Sequence, residues 1–423
     1  EQAKAEAELK TQDLRLAVAL NSRTGEKLWE QAVDVTDCSE VGTGGGKLTL
    51  LYRNNVLLLC GANANGHYWQ QFMAGEFATR RLVALSATDG NKLWSKDANY
   101  RHRPIIVEDE IIAEPWSFDL YSGKQKTRQN PLTGEEEPWS LMRSGHHCGM
   151  LAAAPSLLTF RSGFTGFYDL DKDMGTQHFA GHRTGCWINA IPANGLISIP
   201  ESSAGCVCLF SISSTIVMEP REDRQDWAIF SSTGAHTPVK KAAFNLGAPG
   251  DRRAPDGTIW LAYPRPMPER QTSLDLALDF QPVFGKDGGW ESLKAETVKI
   301  DAGSTPGAGP EWVYASRADG LQSLDLPLLG EGAAAATYRV RLHLAAPCGS
   351  EGEIADSAPL THSFGIRLQG QEVMDQVSVI DGDLKAQVFE FNGISVKDLL
   401  RVELVGKGGE AGPLLNGIEV ERE

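Results

Sequence analysis

The segment Val18-Ala-Leu-Asn-Ser-Arg-Thr-Gly-Glu-Lys-Leu-Trp29 recurs 65 residues further on as Val83-Ala-Leu-Ser-Ala-Thr-Asp-Gly-Asn-Lys-Leu-Trp94, with seven of twelve positions identical. Each copy reads as an alternating strand, a polar turn where Gly25 or Gly90 can take a positive φ, and a second strand closed by a tryptophan. Such a hairpin cannot bury its faces alone, so recurring copies must stack on one another. Weaker copies follow at Phe118-Asp-Leu-Tyr-Ser-Gly-Lys-Gln125 and Phe167-Tyr-Asp-Leu-Asp-Lys-Asp-Met-Gly175. Apolar runs at 195–199, 215–218, 227–230 and 259–263 supply further short strands without the signature. The chain is expected to be all-β.

A chain of 423 residues exceeds the size at which one hydrophobic core stops growing, so two domains are expected. Ten Trp and 44 Gly suit many short strands joined by tight turns. The net charge of −15 argues against nucleic acid as a partner, because an acidic surface repels phosphates. No apolar run approaches the roughly 18 residues that a membrane-crossing helix needs. Residues 1–10 are a charged stretch and not a signal peptide. With the first hairpin starting almost at once, the chain is expected to be an excerpt of a longer protein or one trimmed of its export signal.

The words V-A-L-x-x-x-x-G-x-x-L-W resemble the repeat of the pyrroloquinoline-quinone-type β-propellers, in which this tryptophan packs between neighbouring blades. Residues 14–268 give room for about six blades at roughly 40 residues each, and a ring of six to eight blades expects the remainder upstream of Glu1. Three prolines, Pro264, Pro266 and Pro268, mark a boundary, since they remove backbone donors and fix φ. The propeller is therefore assigned to residues 1–268. Downstream, Tyr338, Val340, Leu342 and Leu344 face one way, with Arg339, Arg341 and His343 opposite. Together with the words Phe364-Gly-Ile-Arg-Leu, Phe389-Glu-Phe-Asn-Gly-Ile394, Leu400-Arg-Val-Glu-Leu-Val405 and Leu414-Leu-Asn-Gly-Ile-Glu-Val420, this strand resembles a malectin-type carbohydrate-binding domain. The resemblance implies a jelly-roll β-sandwich over 273–423 that holds a sugar with loop aromatic and acidic residues. Trp312 and Tyr314, after a glycine-rich loop, are the aromatic candidates; the alternative is that both are core residues.

In the first half, polar and aromatic residues gather in stretches without strand alternation: Gly66-His-Tyr-Trp, Asn99-Tyr-Arg-His-Arg103, Glu114-Pro-Trp116, Arg143-Ser-Gly-His-His-Cys-Gly149 and Gly181-His-Arg-Thr-Gly-Cys-Trp-Ile-Asn189. Loops on a rigid scaffold are where sites usually sit. These words, with Phe-Arg-Ser-Gly-Phe, resemble a family of bacterial exported propeller proteins often fused to malectin-like domains, which implies export to the periplasm or beyond. Candidate catalytic residues are His67, Tyr68, Tyr100, Arg101, His102, Arg103, His146, His182 and Arg183. His67, His102 and His147 are candidates for a divalent metal, imidazole being a common ligand. Propeller-fold polysaccharide lyases use such residues, a cation neutralising a uronate carboxylate while a base removes the adjacent proton. The alternative is that these groups hydrogen-bond loop carbonyls.

Seven cysteines, an odd number, are expected to form mainly disulfides in an exported protein, with a soft-metal site at Cys148, Cys186, Cys206 and Cys208 as the alternative. No Cys-Cys pair exists, so the quinone cofactor is not expected. The expected function is glycan recognition, with polysaccharide or oligosaccharide as partner. A polysaccharide lyase or hydrolase is the alternative. A protein-assembly scaffold, bound through the propeller face, is the third.

Overall fold

The computed structural model describes the chain outside residues 1–10, 39–47, 62–73, 76–77, 144–146, 202–211, 222–226, 267–275, 277, 294–299, 302–304 and 348–358. The chain is all-β among the described residues, with one short 3-10 helix at Glu311–Ala315. It divides into two compact units. One comprises Glu1–Arg128, Pro138–Glu222 and Thr272–Leu274, and the other Gln129–Glu137, Asp223–Gln271 and Asp275–Glu423.

The N-terminal unit is a series of small antiparallel sheets in chain order. They are Leu14–Leu20 with Lys27–Asp34; then Leu48–Arg53, Val56–Gly61, Arg81–Ser86 and Lys92–Asp97; then Ile105–Val107, Glu110–Ala113 and Trp116–Asp119. A four-stranded sheet (Ala152–Ala154, Leu157–Ser162, Phe164–Asp169, Gln177–Phe179) and a three-stranded one (Ile191–Ala193, Leu196–Ile199, Ile216–Met218) follow. Period-two alternation explains the stacking. In Val56–Gly61 the even-numbered Val56, Leu58 and Cys60 pack with Ile111, Ala113 and Phe118 of the third sheet, whereas Leu57 and Leu59 pack with Val33 and Val35 of the first. Ile112 and Val107 then pack on Leu158 and Phe160 of the next sheet. The strand that starts the second sheet lies against the one that starts the third, that one against Ala152–Ala154, and Ala152–Ala154 against Ile191–Ala193.

The repeated tryptophan joins consecutive sheets. Trp29 Nε1 donates to the Ala87 carbonyl at 2.9 Å, and Trp94 Nε1 donates to the Leu120 carbonyl at 3.0 Å. In each case the ring lies on the turn glycine of the next repeat: a Cβ at Gly90 would come within 2.6 Å of the Trp29 ring, and one at Gly123 within 2.8 Å of the Trp94 ring. These glycines also have φ of +74° and +68°, so conformation and space both demand glycine. The residue opening the turn accepts from two amides with its own side chain, as Asn21, Asp119 and Asp169 do.

The C-terminal unit is built mainly on two larger sheets among the described residues. In one, Arg252–Arg253, Ile259–Tyr263, Lys241–Leu246, Gly417–Arg422, Ala336–Leu344 and Gln387–Val396 lie in that order. In the other, Gln281–Ser292, Ser316–Pro327, Leu399–Gly406, Thr361–Leu368 and Gln371–Ile380 lie in that order, with Leu414–Leu415 beside the second. Tyr338, Val340, Leu342 and Leu344 are fully buried against Leu324, Ile366 and Val402 of the opposite sheet, as their alternation requires. Lys241–Leu246 and Ile259–Tyr263, which the proline-based boundary left with the first half, are hydrogen-bonded into this unit: Ala243 pairs with Glu419 and with Trp260. Apolar content alone cannot say which sheet a short buried strand joins.

The disulfide expectation needs correction. Cys38, Cys60 and Cys148 are free thiols among the described residues, Cys186 accepts from Arg161, and Cys206, Cys208 and Cys348 lie outside the described residues. Burial pushes the thiols of Cys38 and Cys60 up to about 12, so they behave as small apolar side chains.

Candidate functional site

In the N-terminal unit, the segments leading into the first strands of the third and fourth sheets carry a buried polar cluster. Arg101 and His102 precede Ile105–Val107, and Arg143 and His147 precede Ala152–Ala154. Glu114 takes Arg143 in a two-pronged pair, Nε to Oε1 at 2.9 Å and Nη2 to Oε2 at 2.5 Å. Arg143 Nη1 also donates to the carbonyls of Gly149 and Arg161. Arg101 Nη2 lies 3.2 Å from His102 Nε2, which is 3.8 Å from Glu114. A guanidinium only donates, so Nε2 of His102 accepts and the ring's proton belongs on Nδ1. That Nδ1 is buried without a hydrogen-bond partner among the described residues. Burial first, then the charges of Arg143 and Arg101, holds His102 well below the usual histidine range, so it stays neutral. Burial lowers Arg101 to about 9, opposed by Glu114.

The other candidates divide. Tyr100 is fully buried; its hydroxyl accepts from the Gly61 amide and donates to the Arg81 carbonyl, and burial raises its pKa. Arg80 stacks on it, 4.2 Å from the ring centre, and donates to the carbonyls of Tyr100 and Arg101. His182 spans the Thr165 hydroxyl and the Ser214 carbonyl, and burial lowers it. Arg183 is buried and reaches the Thr184 carbonyl, while Arg103 is partly buried. Thus Arg101 and His102 come together, Tyr100 serves the backbone beside them, and His67, Tyr68 and His146 lie outside the described residues.

Of the three metal candidates, His102 and His147 have ring centres 6.2 Å apart in an edge-on arrangement, and His67 is outside the described residues. Among the described residues no three His, Cys, Asp or Glu side chains converge on a metal position. A dication at His102 would also meet the charges of Arg101 and Arg143. Glu114, Arg143 and Arg161 belong to the cluster, although sequence reasoning named them only as parts of motifs. An arginine within an otherwise apolar strand, as in Leu157–Ser162, was the available signal.

The C-terminal unit holds a cleft of about 360 Å³ lined by Asp256, Thr258, Trp260, Gly309, Arg341 and Glu419 among others. Trp260 is wedged between two glycines: a Cβ at Gly309 would sit 3.3 Å from its ring and one at Gly417 would sit 2.8 Å away. Glu419 is fixed by His343 Nε2 at 2.9 Å, and Arg341 is held by Glu390 at 2.5 Å and Glu419 at 3.8 Å. Behind it, Tyr314 donates its hydroxyl to the Ala308 carbonyl and touches His343 Nδ1 at 3.1 Å. At 1% exposure Tyr314 is a core residue that positions His343, so of the two predicted aromatics it takes the core alternative. Trp312 is partly exposed, edge-on to Trp260 and to Trp227, with the Arg252 guanidinium 4.9 Å from its ring centre. Asp256, Arg341 and Glu419 escaped sequence reasoning because turn and strand context explained each alone.

No family model matches the chain, and no curated protein matches it. Among solved structures it is similar to a Bacteroides uniformis β-glucuronidase 2, at 11% identity and a TM-score of 0.31, over 81% of this chain and 27% of that one. It is also similar to the ectodomain of the receptor-like kinase ANX2 from Arabidopsis thaliana, at 13% identity and a TM-score of 0.30, over 43% of this chain and 49% of that one. The chain thus spans about a quarter of the length of the former and about half of the latter. Likenesses of this size assign neither activity nor ligand. No helix among the described residues is long and apolar enough to cross a membrane.

Proposed function

We propose that this chain is an exported carbohydrate-recognition protein. Its C-terminal unit, of malectin-like jelly-roll type, acts as the glycan-binding module, and its N-terminal unit is a β-propeller scaffold. The observation that carries the binding reading is the C-terminal cleft, where the Trp260 ring, with Trp312 edge-on beside it, meets fixed carboxylates and a guanidinium. Apolar ring faces with a few held polar groups suit a sugar, which offers C–H faces and hydroxyls together. Asp256 and Glu419 outweigh Arg341, whose charge Glu390 already shares, so the cleft favours neutral glycans over acidic ones. The propeller reading is supported by the serial antiparallel sheets, the adjacency of their first strands and the tryptophan that joins each repeat to the next turn. No disulfide is present among the described residues, so export is proposed on the resemblance alone.

A glycan array probed with the full chain tests the module. Neutral oligosaccharides are expected to bind, with Trp312→Ala or Glu419→Gln weakening binding at least tenfold, as loss of an anchor does at about 1.4 kcal/mol per tenfold. Absence of binding to every glycan, or binding unchanged in both variants, contradicts the proposal.

A further inference from the structure

The charged groups around the C-terminal cleft are matched unequally. Glu419 is held at both oxygens, Oε1 by His343 Nε2 at 2.9 Å and Oε2 by Arg341 at 3.8 Å. Arg341 in turn gives its Nε to Glu390 at 2.5 Å. Asp256 lines the same cleft and has no basic partner among the described residues; its two oxygens accept from the Thr258 amide at 2.9 Å and the Thr258 hydroxyl at 3.1 Å. The nearby guanidinium groups turn elsewhere. Arg253 donates to the Gly257 carbonyl, Arg252 lies over the rings of Trp227 and Trp312, and neither lines the cleft.

An exposed carboxylate by itself is an ordinary surface group, but this one stands at the mouth of a formed cavity. Gly307 and Gly309 line that cavity at φ of +75° and +69°. A Cβ at Gly309 would come 3.3 Å from the Trp260 ring, whereas one at Gly307 would meet nothing within 4 Å, so the glycine there leaves open space where a side chain would stand. The volume of about 360 Å³ lies at the small end of the roughly 300–1,000 Å³ typical of ligand pockets. In so small a cleft one unmatched charge separates ligands of equal shape, because an ammonium group gains an attraction there that a hydroxyl does not. The chain's net charge of −15 acts in the same direction.

We infer that the cleft's preferred ligand is an amino sugar, with its ammonium group paired to Asp256 and its hydroxyls toward Thr258 and Glu419. This rests on the glycan reading of the cleft and narrows it. A surplus of carboxylate ranks cationic sugars above neutral ones for the same reason that it ranks neutral sugars above acidic ones.

Three β-1,4-linked trisaccharides of one backbone test this by calorimetric titration into the full chain at pH 5.5. They are triglucosamine with charged amines, tri-N-acetylglucosamine with those amines acetylated, and cellotriose with hydroxyls in their place. Triglucosamine is expected to bind at least fivefold more tightly than the other two, and added salt narrows the gap. Asp256→Asn keeps the Thr258 amide contact of the turn, leaves cellotriose affinity within twofold and brings triglucosamine down to it. Glu26→Gln removes an exposed carboxylate of the N-terminal unit and leaves the preference intact, which separates pairing at Asp256 from attraction to the net negative charge. The inference is overturned, with the glycan reading left standing, if triglucosamine binds no more tightly than cellotriose, if its advantage survives Asp256→Asn, or if Glu26→Gln removes it as well. If none of the three binds, the inference falls, and the glycan reading falls with it only if the glycan array is also blank.

Discussion

In the C-terminal unit the buried Asp251 and Arg265 face each other through two contacts of 2.5 and 3.0 Å, and Asp251 also accepts the amides of Phe230 and Ala262. Every lone pair that matters there has a donor, and the charges cancel. In the N-terminal unit Glu114 closes the same kind of pair with Arg143, which continues through His102 to Arg101 and through the Arg161 carbonyl to the next sheet. A pair isolated by its own backbone donors fixes one loop, whereas a pair extended through other side chains ties neighbouring sheets together. The C-terminal unit adds a cleft lined by carboxylates that outnumber its guanidinium.

Breaking either closed pair should have the largest effect. Asp251→Asn and Glu114→Gln each strand a buried guanidinium and are expected to cost about 3–5 kcal/mol, read by urea unfolding.

The tryptophan joints give a second, smaller contrast. Gly90→Ala puts a methyl into the Trp29 ring at a positive φ and should cost about 3 kcal/mol. Gly25→Ala has a φ of +76° but open space around it, and should cost about 1 kcal/mol. Equal losses would show that the ring contact contributes nothing.

Reactivity separates buried from accessible sulfur. With pKa values near 12, Cys38 and Cys60 should resist a thiol reagent at pH 8 in the native chain and react once it is denatured. Mass mapping of labelled peptides reads this out, and labelling of either in the native chain would contradict their burial.

The smallest effect concerns a turn. The Ser122 hydroxyl, with the amides of Ser122 and Tyr121, holds the Asp119 carboxyl below the usual range. A depressed folded-state value means that its stabilisation is present above the unfolded value near 3.9 and is lost as pH falls through the folded one. Asp119→Asn, the residue type used at Asn21, should therefore change stability by no more than about 0.5 kcal/mol at pH 7 and flatten the acid limb below pH 4. An unchanged acid limb would mean that other carboxylates dominate it.

The repeat was legible because it is local: strand period, turn glycine and tryptophan all lie within twelve residues, and Trp29 and Trp94 occupy the joints that their recurrence implies. The C-terminal alternation from Tyr338 to Leu344 was legible for the same reason. The membership of Ile259–Tyr263 was not, since its partner Lys241–Leu246 pairs with Gly417–Arg422, far along the chain. The candidate site was half legible. Arg101 and His102 stood out as a polar word, but Glu114, Arg143 and Arg161 meet them only through stacking of separate sheets. Tyr314 looked like a binding aromatic because sequence does not show which side of a short helix faces the core.

Thermal unfolding of Glu114→Gln beside Asp251→Asn tests the comparison most directly. The account predicts that both unfold well below the wild-type temperature, since each removes the carboxylate from a buried bidentate pair. Unfolding of either variant at the wild-type temperature would contradict the account.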